Sequence, residues 1–462
     1  LVPLRRGRVQ PYPRERPDRV PGIRAMLKRM MQDSLWVLGT RLVMRAGNFL
    51  VFLILARGLA VGELGHYGWV IATTLVVSVG LDLGLRQAGA YAIGQKLADE
   101  TEITSALIGA WLVLGTAAVA LTAAAIWWGT DRPGGLAGLA PAALVSAPLL
   151  FMRMLQGTFL GLGQVKALNA SELAARGFML VTLLPLWAFG TLDLDGALWA
   201  LLAAQTLAAL VLLWQLRGRL ASRGLIRPAL VARLIGHGLP FMAGVVGLIL
   251  FGRVGIWVTG AVLPAEGLGH YVANLRMTEL LAEIATAVGV VLFSHGVRSA
   301  DPAKAARDAV QVTRCLLALM AAGAVVGALV AEPLLRIVLG PAFATEASSF
   351  RVLLLGTVPG CLAMMLFPSL TAQGRAGLAA LIFAPAVALH AVLCWTLAPT
   401  LGLEGAALAY VVCQLLVAGS LVIAFHRLYG IGWSEALLVQ REDVRRAVEV
   451  IRRRLGRAAQ PR

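Results

Sequence analysis

Residues Ser34 to Gln87 read SLWVLGTRLVMRAGNFLVFLILARGLAVGELGHYGWVIATTLVVSVGLDLGLRQ, two long apolar runs joined by the short connection RGLAVGE. A helix of about 20 apolar residues crosses the hydrocarbon of a bilayer. Barrel strands are excluded, because each would be only about 10 residues long and would alternate in polarity. The same texture fills the chain: 462 residues, 59% hydrophobic, 14% charged, mean hydropathy +0.79. So apolar a chain of this length is a polytopic membrane protein.

About twelve spanning windows can be laid along it, near 35–56, 66–89, 104–128, 137–162, 168–190, 194–216, 236–261, 268–295, 311–330, 348–372, 376–399 and 403–426. Basic loops stay on the cytoplasmic side of a membrane. An N-terminus inside places most of the 41 Lys and Arg in cytoplasmic segments and leaves the outer loops Arg57, Arg132 and Arg336. Those outer loops carry acids instead, among them Glu63, Asp131, Asp193, Asp195, Glu266, Glu332, Glu346 and Glu404. Both termini are therefore expected in the cytoplasm. The formal charge of +17 fits a basic surface facing anionic lipid, and no nucleic-acid partner is expected. Residues 1–25 are Arg- and Pro-rich without an apolar core, so they are not a secretory signal; Met26 is a candidate translation start. From Ser434 to about Gly456 the pattern suits a basic amphipathic helix on the inner leaflet.

The tetrapeptide LGHY occurs twice, at Leu64–Tyr67 and Leu268–Tyr271. A second match has a similar offset: DGALWALLAAQ, Asp195–Gln205, resembles EGAALAYVVCQ, Glu404–Gln414. Two matches in the same order indicate duplicated halves. With an even number of spans between the copies, the halves point the same way across the membrane. The expected organisation is a basic tail (1–33), a six-helix lobe (34–216), a basic linker (217–235), a second six-helix lobe (236–426) and a basic tail (427–462). The fold class is all-α, with two pseudo-symmetric lobes around a central cavity, the architecture used for alternating access.

Several stretches carry a family resemblance: LARGLAVGELGHYGW after the first span, LDLGL ending the second, LQGTFLGLGQVKALNASEL between the fourth and fifth, and LTAQGRAGLAALIF with LGLEGAALAYVVCQLL in the last two. They resemble the Wzx-type polysaccharide and O-antigen flippases of the multidrug/oligosaccharidyl-lipid/polysaccharide exporter superfamily, over roughly residues 30 to 426. The resemblance implies a V-shaped pair of lobes in the bacterial cytoplasmic (inner) membrane. It also implies movement of a lipid-linked oligosaccharide from the inner to the outer leaflet, with glycan polymerase and glycosyltransferases as functional partners and a monomeric state. A lipid II flippase and a cation-coupled multidrug exporter are the alternatives within the superfamily, and a membrane glycosyltransferase or polymerase the alternative outside it.

Ionisable residues at membrane depth are rare and face a cavity or a partner. Here they are mainly cationic: Arg41, Arg45, Arg153, Arg176, Arg253 and Arg276 against Asp82, Glu172, Glu279 and Glu283. Spacing pairs Glu172 with Arg176, Asp82 with Arg86, and Arg276 with Glu279 on shared helix faces. That leaves Arg41, Arg45, Arg153 and Arg253 without a local partner, and Arg41, Arg45 and Asn48 form one polar stripe on the first helix. Guanidinium groups bind phosphate bidentately and stay charged. The expected substrate site is thus cationic, built from Arg41, Arg45, Asn48, Arg153, Arg253 and Arg276 and suited to an undecaprenyl-diphosphate-type lipid. Asp82, Glu172, Glu279 and Glu283 are the candidates for coupling to an H+ or Na+ gradient, the membrane potential being the other energy source. A drug-exporting cavity would carry unpaired carboxylates instead.

No catalytic residue, metal site or cofactor is expected. There is no phosphate-cradling GxxxxGK[ST] loop and no metal-ligand spacing, and Cys315, Cys361, Cys394 and Cys413 lie scattered in or beside apolar runs.

Overall fold

The structure, a computed structural model, describes residues 43–129, 135–219, 227–299, 301–373, 375–440 and Asp443. Among these, every regular element is a helix. In the first half, α1 covers 43–58 and is followed by α2 Val61–Leu81, α3 Leu85–Gly94, α4 Glu100–Gly129, α5 Gly135–Leu144, α6 Ser146–Gly161, α7 Val165–Ala188 and α8 Leu194–Leu216. The second half comprises α9 Pro228–Val262, α10 Ala265–Arg298, α11 Pro302–Leu329, α12 Ala331–Val338, α13 Pro341–Ala344, α14 Ala347–Ala372, α15 Ala376–Tyr429 and α16 Trp433–Leu437.

Nine helices among the described residues are long and apolar enough to cross a membrane. One of the nine lies in α15, whose Gly402 has φ 62° and ψ −140°, a conformation that turns the chain back and makes two spans of one element. The turn is tight enough that a Cβ on Gly405 would sit 2.2 Å from the Leu397 carbonyl oxygen. α10, 34 residues long, is charged in its interior, and α1 continues a segment that begins outside the described residues. Together these make the twelve-span, all-helical membrane fold.

Three sequence expectations change. The second span does not run unbroken over 66–89: α2 stops at Leu81, Leu83 and Gly84 take positive φ (49° and 75°), and α3 restarts at Leu85. Glycine tolerates that conformation without a Cβ clash. Asp82 and Arg86 are consequently not stacked on one helix face; the Asp82 carboxylate accepts the Arg86 backbone N–H at 3.2 Å. In the 217–235 stretch expected as a linker, α9 begins at Pro228, and Leu234 is buried in the core of the first half with Leu85, Ile103 and Leu212. Finally, the helix expected from Ser434 to about Gly456 is interrupted: Trp433–Leu437 is helical, Leu438 turns extended, and Asp443 is helical again. Residues 444–456 lie outside the described set, as do Met26 and the whole tail 1–33.

The described residues from Gly47 onward form one compact unit, and the reason is visible at α2 and α10. These two helices start with the repeated tetrapeptide, and the copies pack against each other. A Cβ on Gly65 would lie 2.6 Å from the Gly269 nitrogen, and one on Gly269 would lie 1.9 Å from the Val61 carbonyl oxygen. Only a residue without a side chain permits that approach. Leu64, Tyr67, Leu268 and Tyr271 are buried around it. In lipid no hydrophobic force drives helices together, so small residues that let backbones touch supply the association.

Other contacts reinforce this end. Arg57 donates from Nε to the Val338 carbonyl at 3.0 Å and from Nη2 to the Ile337 carbonyl, capping the C-terminus of α12; a cation there also complements the helix dipole. Trp257 Nε1 donates to Thr73 Oγ1 at 2.9 Å, from α9 to α2. At the opposite end of α2 the halves meet again, Gly84 against the backbone of Gly238. Ion pairs Arg219–Glu100 (3.5 Å) and Arg227–Glu102 (2.6 Å) flank that contact.

A Cβ on Gly62 lies 3.1 Å from the Ala265 Cβ, near the separation of about 3.5–4.5 Å that a disulfide needs. In a background lacking the four native cysteines, the pair Gly62→Cys and Ala265→Cys is expected to cross-link under mild oxidant, seen as a mobility shift reversed by thiol. No cross-link would overturn the α2–α10 packing.

Candidate functional site

Close helix approach gathers the charged residues into two groups. In the first half, Gly157 of α6 lies so near α3 that a Cβ there would be 2.2 Å from the Arg86 carbonyl oxygen. That approach brings Arg86 of α3 beside Arg153 of α6. Asp82, only 2% exposed at the end of α2, lies in the field of both guanidinium groups. Glu172 of α7 accepts a hydrogen bond from Gln156 Nε2 at 3.1 Å, and its charge also acts on Arg86 and Arg176. Glu172 and Arg176, expected to pair at i,i+4, interact through their charges, and the Glu172 carboxylate takes its hydrogen bond from Gln156 on the neighbouring helix.

This group holds three arginines and two carboxylates, so one positive charge is left over. Arg153 shows the surplus directly: its buried Nε has no hydrogen-bond partner among the described residues. A buried donor left unmade is costly, about 1–3 kcal/mol, and more so for an ionised group.

In the second half, Arg253 of α9 reaches across to Glu279 of α10, Nη1 to Oε1 at 2.9 Å, while Arg276 Nη1 meets Oε2 of the same carboxylate at 2.7 Å. Arg253, without a partner on its own helix, finds one across helices, a contact that spacing along one helix cannot reveal. The Arg276–Glu279 pair forms at i,i+3. One carboxylate thus serves two guanidinium groups, and Glu283 follows half-buried one turn further along α10. Tyr67, from the first copy of the repeat, sits between the groups: its hydroxyl feels Arg176 from the first half and Arg276 from the second.

Among the remaining sequence candidates, Arg41 lies outside the described residues. Arg45 is half-buried and Asn48 exposed on α1. Reading by spacing missed Tyr67, Gln156 and the part played by Arg86 and Arg176, which had been set aside as locally paired. The signal for Gln156 was present, an amide within an apolar span. No group of three His, Cys, Asp or Glu among the described residues could hold a metal; Cys361, Cys394 and Cys413 are buried thiols and Cys315 is exposed. The arrangement can bind an anion by charge and hydrogen bonds, and it offers no activated nucleophile.

Replacing Glu279 with Ala leaves two guanidinium groups facing each other. The expected result is a lower thermal midpoint in detergent, with Arg253→Leu added to Glu279→Ala recovering part of the loss. The double-mutant cycle should give a coupling of about 0.5–3 kcal/mol; a value near zero would show that the Arg253–Glu279 contact contributes nothing.

Comparison with known proteins accords with this geometry. The fold is similar to the lipid II flippase MurJ in an inward closed conformation, with TM-score 0.67 and 11% identity over 84% of this chain and 87% of that one. It is also similar to a multidrug resistance MATE family transporter of the MOP superfamily. The inward-facing form gives TM-score 0.60 and 16% identity, covering 84% and 95% of the two chains. The outward-facing form gives 0.57 and 16%, covering 85% and 94%. At these identities the likeness is one of fold. No curated protein matches the chain in sequence. The family model described as "Polysaccharide biosynthesis protein" matches residues 54–348, more than half of the chain and most of the helices that build both charged groups. The chain is a multi-pass membrane protein with the MOP transporter fold, and it belongs to the polysaccharide biosynthesis protein family.

Proposed function

We propose that this protein is a flippase that carries an anionic lipid-linked oligosaccharide, of the undecaprenyl-diphosphate type, across the cytoplasmic membrane for cell-surface polysaccharide synthesis. The observation that carries the reading is Arg153, a half-buried arginine whose buried Nε has no hydrogen-bond partner among the described residues, in a group with more arginines than carboxylates. A phosphate oxygen supplies the acceptor that this nitrogen lacks, and guanidinium matches phosphate geometry. Family membership supplies the saccharide class. A cation-exporting reading fits less well, because Asp82 lies in the field of Arg153 and Arg86, and Glu172 acts on Arg86 and Arg176, so neither carboxylate is without cations nearby.

The two contacts between the halves give the movement its geometry. Backbone meets backbone at Gly65–Gly269 near one end of α2 and at Gly84–Gly238 at the other, where Asp82 and Arg86 flank Gly84. Parting one contact while the other holds opens the site to one side at a time. With the inside negative, outward movement of negative charge is favoured by about 2.3 kcal/mol per charge per 100 mV. The basic loops favour cytoplasmic termini, and a C-terminal reporter that is active only in that compartment should be active.

In cells that depend on this chain for surface glycan, Arg153→Ala is expected to lower export roughly tenfold or more, and Arg153→Lys to restore only part, because an ammonium is not bidentate. Arg253→Ala and Arg45→Ala should also impair export. Protein level and membrane insertion, read by immunoblot, should be unchanged. Full export by Arg153→Ala at normal level would overturn the proposal, as would drug resistance conferred by the protein with no effect on glycan.

A further inference from the structure

His390 stands near the middle of the first span of α15, between Ala376 and the turn at Gly402. It is 1% exposed, and neither ring nitrogen has a hydrogen-bond partner among the described residues. A neutral imidazole carries one N–H donor and one acceptor, and burying either of them unmade is costly. Two more buried atoms on the surrounding helices share that condition, the Tyr271 hydroxyl of α10 and Oε1 of Gln414 in the second span of α15. An ionisable side chain at span depth points to a proton or ion site, and the mechanism above makes no use of this one.

Packing gathers these groups in one place. Gly255 of α9 has no side chain, and the two rings fill the space: a Cβ there would collide with the Tyr271 hydroxyl and lie 3.1 Å from His390 Nε2. The Phe251 carbonyl, one turn earlier on α9, also faces the imidazole, without the geometry of a hydrogen bond. On the other side the His390 and Tyr410 ring centroids are 5.9 Å apart, and the Tyr410 hydroxyl meets the Gln414 amide. A protonated imidazole has two N–H donors. The Tyr271 oxygen and the Phe251 carbonyl are the acceptors that face them.

The other titratable groups around the cluster come from each helix packed on it. Cys394 lies one turn along the same span, in contact with Thr259 of α9 at 3.7 Å; Cys413 is in the second span and Cys361 on α14, both buried. The charged neighbours are Arg253 of α9, which acts on both tyrosines, and Glu279 of α10, which acts on Tyr410. These two belong to the charged group of the second half, where Arg253 and Arg276 share Glu279 and Glu283 follows one turn on. That group has as many carboxylates as arginines, whereas the first half has an arginine to spare. One proton on His390 gives the second half the same surplus.

We infer that His390 is a proton-binding site, and that its proton supplies the second half with the positive charge that the first half holds permanently. The inference rests on the reading that the arginines bind an anionic diphosphate. With the proton in place both groups attract the anion; once it leaves, the second group is neutral and the substrate is held from one side only. Proton and anion therefore raise each other's affinity by the same factor. The imidazole lone pair takes the proton from water and returns it to water, so no other reactant is consumed. Proton coupling is thereby separated from Asp82, Glu172 and Glu279, each of which has guanidinium groups nearby.

The full-length protein in mild detergent is titrated with farnesyl diphosphate by isothermal calorimetry, at about pH 5.5 and about pH 8, either side of the ordinary histidine value. Two buffers of different ionisation heat at each pH give the protons taken up on binding. At the lower pH the parent should bind roughly tenfold more tightly than His390→Gln and take up more protons, and at the higher pH the two should bind alike. Tyr271→Phe keeps the imidazole and removes an acceptor, so it should lose part of the low-pH advantage; it carries the test if His390→Gln does not elute as a folded protein. A His390→Gln protein weakened equally at both pH values has lost only structure, and that result overturns the inference, as does parent-like binding at both. Parent-like binding by Tyr271→Phe overturns it too where that variant carries the test. Each of these leaves the arginine site standing. No binding of the diphosphate by the parent at either pH overturns the arginine site itself, and the proton site with it.

Discussion

The close contact between the starts of α2 and α10 is the constraint on which the other interhelical distances depend. Gly65 and Gly269 allow the two backbones to touch, and in a bilayer this matters more than in water. Lipid tails solvate leucine as well as another helix does, so van der Waals fit and interhelical hydrogen bonds must hold the halves together. The Trp257–Thr73 bond and the Arg57 contacts to α12 are of that kind. Once α2 and α10 are registered, Tyr67 is placed between Arg176 and Arg276, and the two charged groups come to face the same region.

The charged groups follow from a second constraint, the cost of ionised groups away from water. A lone arginine at span depth is expensive, and carboxylates lie beside the arginines of both groups, on the same helix or a neighbouring one. Glu279 serves two arginines, and Asp82 lies between Arg86 and Arg153. Compensation is incomplete at Arg153, and the incompleteness gives the site a sign. Arg314 of α11 and Asp443 near the C-terminus obey the same rule differently: the two form a bidentate pair, and Gln311, the Gln440 N–H and the Glu435 carbonyl take up the remaining bonds, which makes them a fastening rather than a binding site.

Duplication explains why one tetrapeptide serves twice. When two similar halves associate about an approximate twofold axis, residues near the axis meet their own counterparts. The LGHY copies do so, and each helix start carries an acid in its first turn, Glu63 and Glu266, where the helix dipole favours negative charge. The charged residues are not duplicated in this way. Aligning the copies sets Arg45 opposite Ile249 and Phe49 opposite Arg253. The scaffold is thus symmetric while the chemistry is not.

What the sequence determined alone was whatever depends on neighbours along the chain. Apolar length sufficed for an all-helical, twelve-span architecture, because a bilayer demands continuous hydrogen-bonded helix wherever the chain crosses it. Internal similarity exposed the two halves, and the excess of arginine at span depth was legible from composition. The i,i+3 pair Arg276–Glu279 was also local and formed as spacing indicates. Tertiary structure decided the rest. The break at Asp82–Gly84 is one such feature, and the Arg253–Glu279, Gln156–Glu172 and Arg314–Asp443 contacts join residues on different elements, with distances set by how closely those elements approach. That approach is governed by glycines facing glycines across a membrane interface, which no single span contains.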